Sequence, residues 1–70
     1  MAPKLEKTCL CIKDLSITDE YNDGTLNFHM GREYQVDIYP LFNVVYQNGG
    51  WKDFVYLNDE EFYKNFKLIE

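Results

Sequence analysis

The chain is short of basic residues, and that shortage narrows its partners first. Seven Lys and Arg stand against twelve Asp and Glu, for a formal net charge of −5. A protein that binds nucleic acid regardless of sequence draws its affinity from Lys and Arg neutralising phosphates, so direct nucleic-acid binding is not expected. Docking on an anionic membrane surface is disfavoured for the same reason. The balance fits a basic protein partner, or plain solubility. No apolar run approaches the ~20 residues of a membrane helix, and Met1 to Lys7 lacks the apolar stretch of a secretory signal. Cysteine is equally scarce: Cys9 and Cys11 are the only two. Small secreted domains usually carry more bridges than one Cys-x-Cys pair can supply, which points to a reducing, cytoplasmic setting.

Motifs for chemistry are also missing. A tetrahedral zinc site needs two ligands beyond Cys9 and Cys11, and His29, the only histidine, is a single candidate. Thiols packed in the fold are the better reading of the pair. His29 has no nucleophile motif beside it, as a general base requires. Asp59, Glu60 and Glu61 suit the first turn of a helix, which favours acids. Gly49-Gly50 is followed by neither lysine nor a helix start, so it is not a phosphate loop. The reading is of a non-enzymatic protein with no metal and no cofactor.

What is present is aromatic and alternating. The chain has 70 residues, enough for one domain, and 17% of them are aromatic. A chain this short needs a dense core, and aromatic side chains bury much area per residue. Met1 to Lys7 reads as a polar, frayed end. Thr8 to Lys13 reads as a first strand, with Leu10 and Ile12 on one face and Cys9, Cys11 and Lys13 on the other. Asp14 to Gly24 reads as an acidic loop carrying Asp14, Asp19, Glu20 and Asp23, with Leu15, Ile17 and Tyr21 as anchors. Asn22-Asp23-Gly24 supplies its turn chemistry. Leu26, Phe28 and Met30 alternate with Thr25, Asn27 and His29 in a second strand. Gly31 suits a turn that requires positive φ. Tyr34, Val36 and Ile38 alternate with Gln35, Asp37 and Tyr39 until Pro40, which donates no hydrogen bond, ends the strand. Phe42, Val44 and Tyr46 form a fourth run, and Trp51 to Leu57 a fifth. Asn58 and Glu61 then mark a capped helix, with Leu57 and Phe62 as its hydrophobic staple. Leu68 and Ile69 are placed to return to a sheet edge.

Five short strands joined by tight turns predict a mainly β domain: a small five-stranded antiparallel barrel closed by a short C-terminal helix. An antiparallel α+β sheet with one helix is the alternative.

Asn48-Gly49-Gly50 is a strong hairpin signal with two registers. A two-residue turn pairs Gln47 with Gly50 and leaves Val45, Phe54 and Tyr56 outside, near Tyr39. A three-residue turn pairs Gln47 with Trp51. It sets Phe42, Val44 and Tyr46 on one face with Lys52, Phe54 and Tyr56, and leaves Val45, Trp51 and Val55 outside. A one-residue slip exchanges the faces of a strand. In both registers the hairpin has more apolar side chains than one face hides. Tyr39, Val45, Trp51, Phe54 and Tyr56 are therefore candidate partner-binding residues. The acidic residues Asp14, Asp19, Glu20 and Asp23 form a second candidate surface, one able to imitate nucleic acid.

The stretch from Leu26 through Gly31 and Tyr34 to Val36, then the hairpin, then Leu57 to Phe66 with its Glu60-Glu61-Phe62 helix, resembles small, uncharacterised bacteriophage and prophage proteins that are similar to SH3-like barrels. The resemblance spans roughly residues 8–69. It implies a fold and a host-cell cytoplasmic setting, and no catalytic residue. Asp14–Gly24 and the Cys9-x-Cys11 pair depart from that pattern. The function expected is a module that binds and modulates a host protein. The alternatives are a homo-oligomeric accessory protein, as a homodimer through the same patch, and an acidic anti-defence inhibitor that mimics nucleic acid.

Overall fold

A computed structural model describes residues 4–19, 24–47 and 53–69. The described chain runs β1 (Leu5–Cys11), β2 (Leu15–Asp19), β3 (Gly24–Phe28), β4 (Glu33–Ile38), β5 (Asn43–Tyr46), β6 (Phe54–Leu57), α1 (Asp59–Asn65) and β7 (Phe66–Leu68). Five strands form one antiparallel sheet in the order β6-β5-β4-β1-β7, and β2 pairs β3 in a separate hairpin. The protein is thus mainly β with one short helix near its C-terminal end. Among the described residues the pairings close no barrel, since β6 and β7 stand at opposite ends of the order.

The core lies on one face of the five-stranded sheet. Cys9 and Cys11 from β1, Tyr34 and Val36 from β4, Val45 from β5, and Val55 and Leu57 from β6 all point there. Leu26 and Phe28 of the hairpin join Phe62 and Phe66 in covering it. Phe28 meets Tyr34 and Phe66 edge-on at 5.0 and 5.6 Å, and Phe62 stacks on Phe66 at 5.5 Å. These are favoured ring geometries, each worth about 0.5–1.5 kcal/mol beyond area burial.

The helix follows its sequence signals closely. The Asn58 side chain accepts the Glu61 N–H at 2.8 Å, and three acids occupy the first turn. Leu57 and Phe62, the two staple positions, are both buried. The helix ends where Phe66 turns extended and enters β7, which pairs with β1 across Cys11↔Phe66 and Cys9↔Leu68. Asn43 locks the helix start to the sheet: its buried amide donates to the Asp59 carboxylate at 2.9 Å. Gly31 has φ of +91°, where only glycine is unstrained, and its N–H donates to Cys11 at 2.8 Å.

Four expectations need correction. The acidic loop contains a strand. Leu15-Ser16-Ile17-Thr18 alternates apolar and polar side chains and pairs with β3 through Ile17↔Leu26; that period-2 pattern outweighs the loop-like acids around it. Secondly, β1 begins at Leu5 rather than Thr8, because Leu5 to Lys7 find partners on β4 at Ile38 to Val36. Thirdly, Ile12 and Met30, each expected within a strand, are exposed past the ends of β1 and β3, while Cys9 and Cys11 are packed inside as expected. Cysteine, small and apolar, suits a site where β7 and the hairpin crowd the sheet.

The fourth correction concerns the second hairpin. β5 and β6 pair as Val45↔Val55 and Tyr46↔Phe54, and Gln47 donates to the Asp53 carbonyl at 2.8 Å. Neither predicted register holds, because Gln47 faces Asp53 and the connection is longer than either turn. The face partition matches that of the three-residue turn, with the two sides inverted: Val45 and Val55 point in, and Phe42, Tyr46, Phe54 and Tyr56 point out. The smaller β-branched side chains fit the crowded interior, which the phenylalanines of the helix and hairpin already fill. Asn48, Gly49 and Gly50 themselves lie outside the described residues.

Candidate functional site

Alternation along β4, β5 and β6 aims one set of side chains away from the core. Val36, Val45 and Val55 go inward, so Asp37, Val44, Tyr46, Phe54 and Tyr56 share the outer face. Asp37 pairs with Val44, which pairs with Tyr56. Beyond the end of β4, the Tyr39 N–H donates to the Phe42 carbonyl at 3.0 Å and the two rings stack at 4.7 Å. From there the rings are continuous. Phe42 meets Tyr56 at 5.5 Å, Tyr56 meets Phe54 at 5.4 Å, and Phe54 meets Tyr46 at 6.0 Å.

A carboxylate lies among these rings. Asp37 is only 2% exposed. Its Oδ2 accepts the Tyr46 phenol at 2.7 Å and stands 3.5 Å from the Lys4 ammonium. Its Oδ1 is buried, with no donor among the described residues. A buried carboxylate has room for about four hydrogen bonds, and leaving one of its oxygens bare costs about 1–3 kcal/mol. Burial first, and then the bond to Asp37, pushes the Tyr46 phenol up to about 12, so it stays a donor at neutral pH. Tyr39 and Tyr56 act electrostatically on that same phenol, which marks them as neighbours. The Asp37 charge raises the Lys4 ammonium, which is largely solvated.

The predicted site residues divide sharply. Tyr39 and Phe54 are half-buried on this face, and Tyr56 is 60% exposed. Val45, by contrast, is fully buried in the core and leaves the candidate surface. Trp51 lies outside the described residues. In the acidic set, the Asp14 carboxylate accepts the Met30 N–H at 2.6 Å and so braces the turn after β3. Asp19 ends β2 opposite Gly24, and Glu20 and Asp23 lie outside the described residues. Asp37, Phe42, Tyr46 and Lys4 are not singled out by the sequence reading. A signal for Asp37 was present: in the Tyr34 to Tyr39 alternation it falls on the Tyr39 side, away from the apolar stripe.

The two thiols offer little chemistry. Burial, then the neighbouring Cys11, pushes Cys9 up to about 12, and burial raises Cys11, whose thiol donates to the Lys13 carbonyl at 3.1 Å. Protonated thiols are poor nucleophiles and poor ligands. No group of three or more His, Cys, Asp or Glu among the described residues is placed to hold a metal. His29 is exposed just past β3, and its backbone N–H donates to the Tyr34 hydroxyl at 2.9 Å. No described helix is long and apolar enough to cross a membrane.

No family model, curated protein or solved structure matches the chain.

Proposed function

We propose that the chain is a non-enzymatic, phage-type interaction module, related in design to SH3-like barrels, that binds and modulates a host protein through the outer face of β4–β6. The SH3-like reading draws support from five antiparallel strands in one sheet, with the helix carrying the last strand back to β1. The barrel is then an open one, with β6 and β7 as its edges. The functional reading rests on one observation: a continuous chain of aromatic rings, from Tyr39 to Tyr46, on a face that the core does not use. Aromatic side chains at low charge density are the compositional signal of protein interfaces.

The test is capture from a bacterial host lysate with the tagged full-length chain, comparing wild type with Tyr56→Ala and Phe42→Ala. Both side chains are exposed, so both variants should fold. One stoichiometric partner, lost in each variant, is the expected result. Unchanged capture by both folded variants would overturn the assignment of this face. A chain that is dimeric in light scattering, and monomeric when Tyr56 is removed, would replace the host partner with a second copy.

A further inference from the structure

We infer that the outer face takes an arginine side chain from its partner, with the guanidinium seated on the aromatic rings against Asp37, and that Lys4 is an internal stand-in for that cation. The inference rests on the proposed role of this face and names its chemistry.

The first observation is the unused oxygen. Asp37 Oδ1 is buried without a donor among the described residues, while Oδ2 already accepts Tyr46. The missing partner is therefore a donor, and a cationic donor suits a carboxylate best. The second observation is the surrounding surface. Rings share the carboxylate's face: Tyr46 bonds to it, Tyr56 lies in its cross-strand row beyond Val44, Tyr39 stacks on Phe42, and Tyr56 meets both Phe42 and Phe54. Cations are attracted to ring faces, and more strongly once desolvated. The third observation is the occupant already present. Lys4 reaches Asp37 Oδ2 at the long distance of 3.5 Å, with its side chain 46% exposed. It covers a charge it does not fully satisfy: the ammonium is largely solvated, the contact is long for a charged hydrogen bond, and Oδ1 stays bare. A cation that serves both oxygens therefore replaces it without leaving the buried carboxylate uncompensated.

Arginine fits better than lysine for three physical reasons. Its planar fork presents several donors, so one group can serve Oδ1 while it contacts Oδ2. Its plane stacks on tyrosine and phenylalanine. It is also more weakly hydrated than an ammonium, so it enters a half-buried site more readily. The chain's net charge of −5 favours approach of a basic segment.

The probe is a capped five-residue peptide with a central arginine flanked by glycines, titrated into the full chain at low salt. Binding is followed by amide NMR shifts. Saturable shifts centred on Asp37, Tyr46 and Tyr56 are expected, with the lysine version of the peptide binding more weakly. Lys4→Ala removes the internal competitor from a solvated position and should tighten binding about two- to fivefold. Asp37→Asn keeps the side-chain shape and should weaken it about tenfold or more. Absence of binding even to Lys4→Ala, shifts centred elsewhere, equal affinity for the lysine peptide, or no gain from Lys4→Ala would each overturn the inference. The two readings fail separately. Lysate capture that depends on Tyr56 but ignores Asp37→Asn leaves the interface standing and removes the arginine. Arginine-peptide binding with capture indifferent to Tyr56 and Phe42 does the reverse.

Discussion

The two faces of the five-stranded sheet use the same strands for opposite purposes. On the inner face, Cys9, Val36, Val45 and Val55 are small, apolar and fully enclosed, and the described phenylalanines of the hairpin and helix close over them. On the outer face the same strands present Asp37, Tyr46, Phe54 and Tyr56, with rings in contact and a carboxylate half satisfied. The inner face resolves its polar groups and fills its space. The outer face leaves apolar area and a buried acceptor unresolved, and features of that kind mark binding surfaces. The two-residue period of a strand thus separates the packed face from the proposed recognition face.

That separation is open to attack at several depths. The largest effect is expected from Phe66→Ala, which empties the point where hairpin, sheet and helix meet. A loss of about 3–5 kcal/mol, read as a collapse of the urea midpoint, would approach the whole stability of a chain this size. Next, Val45→Ala should cost about 2 kcal/mol, whereas Tyr56→Ala, a larger deletion on the outer face, should cost less than about 1 kcal/mol. Equal losses in the two denaturation curves would erase the distinction between the faces.

A smaller effect of opposite sign is expected at the carboxylate. Asp37→Val combined with Tyr46→Phe removes both partners of a buried polar pair. Replacing such a pair by apolar groups is near neutral or stabilising, so a gain of up to about 1 kcal/mol is expected. Capture of the partner should fall in the same variant. A clear destabilisation would mean that Asp37 supports the fold rather than recognition.

The last effect is absent at neutral pH. Cys9 is raised from 9.0 to about 12 and Tyr46 from 10.0 to about 12 in the folded chain. Folding therefore favours the protonated forms. That stability is fully present below pH 9 and is lost as pH rises from about 9 towards 12. Urea midpoints at pH 8 and pH 10.5 should differ, and Cys9→Ala should reduce the difference. A pH-independent midpoint over that range would contradict the burial of the inner thiol.

Local signals carried much of the fold. The helix was legible because its determinants are local: the Asn58 cap, the first-turn acids, and Phe62 four residues from Phe66. The turn at Gly31 was legible because one backbone angle demanded glycine. Reading β2 as loop shows where composition misleads, since its flanking acids mask a Leu15, Ile17 alternation that needed the partner Leu26 to become a strand. The candidate surface was half legible. Tyr39, Phe54 and Tyr56 are on it, Val45 is not, and Asp37 was missed because a lone acid in a strand looks solvated until the pairing of β4 with β5 brings the Tyr46 hydroxyl onto it.

By itself the sequence determined most of the elements and their order, β2 excepted, through period-2 alternation, turn chemistry and helix capping, all of which act between residues a few positions apart. Only the tertiary structure decided which side of each alternating strand faces the core. Alternation defines two faces without labelling them. The label comes from volume: Phe28, Phe62 and Phe66 fill one side of the sheet with Tyr34, so the valines and cysteines fit beneath them, and Tyr46, Phe54 and Tyr56 are left with Asp37 on the other.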